Sequence, residues 1–337
     1  MFLVWLQFVI CAALVIFFGA KLSRYGDMIA VKTRLGGLWV GLLLLAAVTS
    51  LPELVTGIGA VAVVGSPDLA LGTAFGSNLF NLVIIAILDV AYRQGPLLAW
   101  AGAGHRLSAG LGIVLIAFAA GSILLGREWG GALGWVGIYS LVLIVLYLLG
   151  ARRIFRFEQK QEGSQQPRAL RYENISSRRA YVGFAVAALA IIGLGTWLAI
   201  IGDELAARTG WGASFVGSLF LAATTSLPEL VVAIVALRLG AIDMAIANML
   251  GSNMFNMGIV IAGYDLFYRQ ASIFSASSIS HVYAASMAIL MTLIVIGGLT
   301  FRTKRKLPIG MSWYSVALIV AFLAGAYILF TTGVPAG

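Results

Sequence analysis

The chain alternates between long apolar stretches and short polar ones. Ten apolar stretches can be marked, over 2–20, 36–64, 69–91, 107–125, 132–150, 180–201, 212–237, 242–267, 280–300 and 311–332. About 20 apolar residues in a helix cross the hydrocarbon of a bilayer. The pattern therefore predicts ten transmembrane helices. The first stretch has no basic segment before it and no small-residue cleavage signal after it, so it reads as a retained span. One long polar stretch, 151–179, holds eight Lys/Arg and three Glu. It divides the chain into a first five-span half, 1–150, a basic linker, 151–179, and a second five-span half, 180–337.

Composition agrees with burial in lipid. The sequence is 61% hydrophobic and 10% charged, with a mean hydropathy of +1.00. A soluble domain carries roughly a quarter of its residues as charges. The single cysteine, Cys11, lies in an apolar run, which excludes a disulfide framework within the chain and leaves a small packing residue.

A net charge of +9 would suit nucleic acid, but its distribution follows the apolar stretches instead. With the N-terminus outside, the inner loops hold Lys21, Arg24, Lys32, Arg34, Arg93, Arg106, the eight basic residues of 151–179, Arg238, Arg302, Lys304, Arg305 and Lys306. That makes nineteen, against three outside: Arg127, Arg208 and Arg269. The asymmetry is a positive-inside signal. It predicts a multi-pass protein of the cell inner membrane, with both termini outside and the central loop a solvated cytosolic linker. Membrane lipid is thus a partner and nucleic acid is not.

The two halves repeat. Tyr25–Gly41 aligns with Ile201–Gly217. The sequence Thr-Ser-Leu-Pro-Glu recurs at 49–53 and 225–229, Gly-Ser-Asn at 76–78 and 251–253, and Asp89–Gln94 matches Asp265–Gln270, always at an offset of 175 or 176 residues. Each half has five spans, an odd number, so the second must enter from the opposite face. The repeat is inverted, an architecture of secondary transporters.

Of thirteen acidic residues, only Glu53 and Glu229 fall deep within apolar stretches, at equivalent places. A carboxylate at mid-membrane costs at least roughly 2.5–3.5 kcal/mol on insertion scales. No Lys or Arg lies at their depth. Inverted symmetry brings the two together near the midplane, where like charges resist joint ionisation. One divalent cation, two monovalent cations or two protons relieve that penalty.

The surroundings suit oxygen coordination. Each glutamate follows Thr-Ser-Leu-Pro: Thr49, Ser50 and Pro52, and Thr225, Ser226 and Pro228. Proline lacks the N–H that would bond the carbonyl four residues back, so it breaks helices 2 and 7 and frees the carbonyls of Val48 and Thr224. Ser77 with Asn81, and Ser252 with Asn256, are spaced i, i+4 on one helix face each, beside glycines that permit close packing or unwinding. Carboxylates, hydroxyls, amides and carbonyls suit calcium or sodium, whereas no Cys/His cluster serves zinc or copper. Asp89 with Arg93, and Asp265 with Arg269, are spaced as ion pairs at helix ends. Asp68 and Asp243 read as first-turn acids, and His105 and His281 as interfacial residues.

At the duplicated TSLPE and GSNxFN motifs, 49–53 with 76–81 and 225–229 with 251–256, the chain resembles the calcium:cation antiporter superfamily, and within it the prokaryotic sodium/calcium exchangers. The resemblance covers nearly the whole chain. It implies an all-α membrane protein of ten helices in two inverted five-helix repeats, with broken helices 2, 3, 7 and 8 around a midplane ion site. It implies calcium ligation by Glu53 and Glu229 and by the carbonyls of Thr49 and Thr225. Sodium sites would use the hydroxyls of Ser50, Ser77, Ser226 and Ser252 and the carbonyls of Ala46 and Ala222, with Asn81 and Asn256 beside them. It also implies alternating access by sliding of helices 1 and 6. The branch usually has Asp where this chain has Asn256, and Gly where it has Val48 and Thr224.

The implied activity is secondary antiport of calcium against sodium or protons, with both counter-ions left open. No cofactor is needed, since calcium, sodium and protons are cargo, and a monomer is compatible with the reading. A cation channel is the alternative of a different class; counter-ion dependence separates the two. An enzyme would need a nucleophile with a base, or an open metal site, at matched depth, and no His lies in the site segments.

Overall fold

A computed structural model describes residues 1–33, 35–126, 131–161, 172, 176–209 and 223–333. Ten helices follow the order of the ten apolar stretches. They are α1 (Phe2–Thr33), α2 (Gly36–Val64), α3 (Pro67–Ala91), α4 (Gly104–Leu125) and α5 (Ile138–Gln161), then α6 (Ser177–Thr209), α7 (Leu227–Arg238), α8 (Ile242–Phe267), α9 (Ser280–Phe301) and α10 (Trp313–Gly333). Among the described residues, eight of these, all but α7 and α10, are long and apolar enough to cross a membrane. Much of the expected span 212–237 lies outside the described residues. The central stretch is helical to Gln161 and again from Ser177; of 162–176 only Tyr172 and Ser176 are described.

Local chemistry explains the helix boundaries. Helix α2 ends at Gly65, whose φ of 73° an L-residue would resist. Helix α3 then starts with Ser66 accepting a hydrogen bond from the Leu69 N–H at 3.3 Å, Pro67 in its first turn and Asp68 at the positive end of the helix dipole. Two predicted boundaries move. Residues 132–137 form a small hairpin, Ala132–Leu133 paired with Val136–Gly137 around Gly134 at φ 69°, so α5 begins later and runs past the apolar stretch into its basic continuation. Helix α3 is continuous α-helix from Pro67 to Ala91, so the break expected in helix 3 is absent: its only proline sits in the first turn, where no backbone bond is lost. Its counterpart α8 does change, to a π-helical turn at Asn256–Val260.

Helices α2, α3, α7 and α8 pack each against the other three. Helices α1 and α6 lie against one another and against α7 and α2, their outer faces carrying exposed Phe2, Ile10, Phe17, Val186, Leu189 and Ile200 as lipid-facing surface. The remaining helices cross over between halves: α4 and α5 pack on α8, and α9 and α10 on α3.

Buried aspartates fasten these crossed contacts. Asp89, fully buried at the end of α3, accepts from the Ser312 N–H (2.9 Å) and hydroxyl (2.8 Å), the Tyr314 hydroxyl (2.6 Å) and the Ser315 hydroxyl (2.8 Å), all at the start of α10, and from the Leu97 N–H (2.8 Å). Asp265, at the end of α8, accepts from the Gly137 N–H (2.7 Å) and Ser140 hydroxyl (2.6 Å) at the start of α5, and from the Ile273 N–H (2.6 Å). The expected Asp–Arg pairs are thereby corrected. Lys306 is the cation beside Asp89, at 3.9 Å, and Arg269 lies 5.7 Å from the centre of the Trp135 ring. A buried carboxylate satisfies several helix-start N–H groups at once, which a single exposed i, i+4 cation cannot match.

The histidines pair across the halves in the same way. His105 in α4 meets Asp243 at 2.9 Å, and His281 in α9 meets Asp68 at 3.1 Å. Both aspartates are first-turn acids, as expected. Each also caps the opposite half, Asp243 accepting from the Gly102 N–H (2.8 Å) and Asp68 from the Ser278 N–H (2.6 Å). This reciprocal exchange is what a two-fold relation between halves produces.

Candidate functional site

The two Thr-Ser-Leu-Pro-Glu segments meet where α2 and α7 cross. In α2 the segment lies within a continuous α-helix from Ala46 to Gly59, preceded by a π-helical turn at Val40–Leu45. Pro52 sits inside this helix. In the second half the chain is helical at 223–225, turns at Ser226 and restarts at Leu227, with Pro228 in the first turn of α7. The break expected at Pro52 is therefore absent from α2, whereas Pro228 does begin a new helix after the turn at Ser226. Both prolines pack near Gly195 of α6, where a Cβ would lie 2.5 Å from Pro52 Cγ and 3.5 Å from Pro228 Cγ. A Cβ on Gly19 of α1 would likewise lie 2.9 Å from Val231 Cγ1 of α7.

Glu53 and Glu229 are fully buried, and Ser50, three residues before Glu53, reaches Glu229. The Ser77 hydroxyl donates to Glu53 Oε1, and the Ser50 hydroxyl donates across the halves to Glu229 Oε1, each at 3.4 Å. The Thr49 hydroxyl donates to the carbonyls of Leu45 (3.1 Å) and Ala46 (3.4 Å). Thr225 and Ser226 are buried beside Glu229 in the sequence, and Ala222 lies outside the described residues.

A lattice of amides joins α3 to α8. Asn81 donates to Asn253 Oδ1 at 3.0 Å, and Asn253 donates to the Asn78 carbonyl at 3.1 Å. Asn256 donates to Asn78 Oδ1 at 3.2 Å and to the Ser77 hydroxyl at 3.4 Å. The NH₂ groups of Asn81 and Asn256 therefore face protein, which leaves their oxygens for other partners.

Among the described residues, six buried oxygens at the expected positions accept or donate no hydrogen bond: Glu53 Oε2, Glu229 Oε2, Ser226 Oγ, Ser252 Oγ, Asn81 Oδ1 and Asn256 Oδ1. Buried polar atoms are rarely left so, because each costs about 1–3 kcal/mol. They are all hard oxygen donors, and among the described residues no group of three His, Cys, Asp or Glu is present. Such a set fits calcium or sodium as cargo and does not fit zinc.

Three participants escape a reading of spacing. Asn78 and Asn253 belong to the repeated motif, but nothing in one sequence says that they bond one another's helices. Tyr264 sits in an apolar run; its hydroxyl donates to the Glu53 carbonyl at 2.8 Å, and its ring fills the space above Gly57, where a Cβ would come within 2.1 Å. The repeat offers a faint signal, since position 57 is Gly while its equivalent, Ala233, is not.

Comparison with known proteins agrees with this geometry. The family model described as "Sodium/calcium exchanger protein" matches residues 3–158 and 179–332. The putative antiporter CaxA of Alkalimonas amylolytica is 26% identical over 346 residues, covering 96% of this chain and 98% of CaxA. The inner membrane protein YrbG of Escherichia coli is 29% identical over 236 residues, covering 66% of this chain and 67% of YrbG. Structures of the sodium-calcium exchanger NCX_Mj superpose with a TM-score of 0.72 at 18% identity, covering 97% of this chain and 98% of the other, so the fold is shared. With the family model matching most of its length, the chain belongs to the sodium/calcium exchanger family and is a multi-pass membrane cation antiporter, not an enzyme.

Proposed function

We propose that the protein exchanges calcium for sodium or protons at a single site formed by Glu53 and Glu229. The observation that carries this is the pair of buried carboxylates, each with one oxygen that is unbonded among the described residues, together with four further such hydroxyl and amide oxygens. Calcium would lie between the carboxylates, with the carbonyls of Thr49 and Thr225 completing its shell. Sodium ions would use Ser50, Ser77, Ser226 and Ser252 and the carbonyls of Ala46 and Ala222, flanked by Asn81 and Asn256. Two carboxylates balance one calcium, two sodium ions or two protons. Two-for-one exchange is then electroneutral, and a third sodium would make it voltage-dependent.

Proton coupling is supported by one particular feature. Asn256 stands where an ionisable residue would add a third charge, and its amide is already engaged by Ser77 and Asn78. The two family-matched stretches, 3–158 and 179–332, support the division into two repeats joined by a linker. The glycine contacts of α1 and α6 on α7 and α2 supply the smooth surface that sliding between an outer pair and an inner four requires. The positive-inside count supports termini outside and a cytosolic linker, and the name of the Escherichia coli relative supports the inner membrane.

The test is calcium uptake into proteoliposomes with sodium and proton gradients imposed separately. Uptake should follow one or both gradients and stop when neither is present. Leak of calcium without any counter-ion would favour a channel. Reversal under an imposed membrane potential decides the stoichiometry.

A further inference from the structure

Asn248 has no place in the site described so far. It lies in α8, fully buried, and among the described residues neither its Oδ1 nor its Nδ2 has a hydrogen-bond partner. One turn further along, Ser252 is also fully buried with an unbonded hydroxyl. At i, i+4 the two share a helix face. An amide with both ends unpaired in a protein interior is costly, and a site that retains one usually gives it a ligand.

The neighbouring backbone packs closely on this stretch of α8. Helix α8 presses directly on the π-helical turn Val40–Leu45 of α2. A Cβ on Gly41 would meet the Met244 carbonyl at 2.5 Å, and one on Gly251 would meet the Leu42 carbonyl at 2.4 Å. Asn248 falls between these two contacts along α8. The repeat shows that the fold itself needs no amide there. The equivalent position in α3 is Thr73, half-buried and already donating to the Leu69 carbonyl at 2.9 Å.

We propose that Asn248 and Ser252 form a neutral amide–hydroxyl station for a sodium ion, on the side of the carboxylate pair nearer the Ile242 end of α8. Both of its side chains are neutral, and Ser252 links it to the carboxylate site, so it suits a monovalent ion whose water shell neutral oxygens can replace, rather than calcium. The Asn248 NH₂ group would donate to a water the ion retains. The proposal rests on Glu53 and Glu229 being the calcium site.

The test uses the full chain in proteoliposomes, with sodium-driven calcium exchange and sodium-free calcium binding measured for Asn248→Leu and Asn248→Asp. Asn248→Leu should raise the sodium concentration for half-maximal exchange by roughly tenfold, as expected for one lost contact to a charged group, and leave sodium-free calcium affinity unchanged. Its melting temperature should rise, because an unpaired amide is replaced by an apolar group of similar size. Asn248→Asp should lower the sodium requirement. An equal shift for both ions, or no shift with either variant, overturns the station, as does exchange in the parent chain that ignores sodium. Should Asn248→Leu fail to fold, an unchanged sodium requirement in Asn248→Asp overturns it alone. Retained exchange in Glu53→Gln would instead sink the carboxylate site, whatever Asn248 does.

Discussion

Glu53 and Glu229 end the same five-residue sequence, yet the protein holds them differently. Glu53 lies inside a continuous helix, takes a hydroxyl from Ser77 of its own half, and has its backbone carbonyl pinned by Tyr264 from the other half. Glu229 lies in the first turn of a restarted helix, where the helix dipole favours negative charge, and takes its hydroxyl from Ser50 of the other half. Repetition of sequence decides which side chains meet; the packing around them decides how firmly each is held. If the proposed exchange alternates access between inverted halves, the two exchange roles and any one state holds them unequally.

The largest effect should come from removing either charge. Glu53→Gln and Glu229→Gln should each abolish calcium exchange in proteoliposomes while the protein stays folded, since an amide is isosteric and uncharged. Full exchange in both would end the carboxylate reading, and loss in only one would make the inequality functional. Next is Gly57→Ala. Its methyl would sit 2.1 Å from the Tyr264 ring and should cost at least about 1–3 kcal/mol by melting, with Tyr264→Leu in the same chain restoring stability. Ala233→Gly, at the equivalent position, should lack any such clash and change stability by only about 1 kcal/mol.

Two further contrasts sharpen the comparison. Asp89→Asn should destabilise by roughly 2–3 kcal/mol and Asp265→Asn by less, because among the described residues Asp89 gathers five hydrogen bonds and Lys306 where Asp265 gathers three. Thermal unfolding in detergent reads the difference, and equal losses would refute it. Tyr264→Phe, the mildest, should cost about 0.5–1.5 kcal/mol and alter calcium affinity through the Glu53 carbonyl, with the ring still filling the space over Gly57.

Much of this was legible in order and little in register. Apolar stretches of membrane length and their basic boundaries gave the helices, because lipid leaves no alternative for twenty apolar residues. The duplicated motifs gave the carboxylates and the oxygens beside them. The aspartates at 89 and 265 were misread because their spacing to arginine is a local pattern, while their partners lie at the start of a distant helix. Tyr264 and Asn248 were invisible because a buried residue within an apolar run carries no period that distinguishes it from packing.

What the sequence determined by itself is therefore the class, the repeat and the charged pair, since each follows from composition or from identity at a fixed offset. What only the tertiary structure decided is the crossing of the halves. Asp89 holds α10, Asp265 holds α5, Asp243 meets His105 and Asp68 meets His281, and Asn81 bonds Asn253. Those contacts join residues more than a hundred positions apart, and hydrogen bonds between such partners depend on distances and angles that no spacing along one chain encodes.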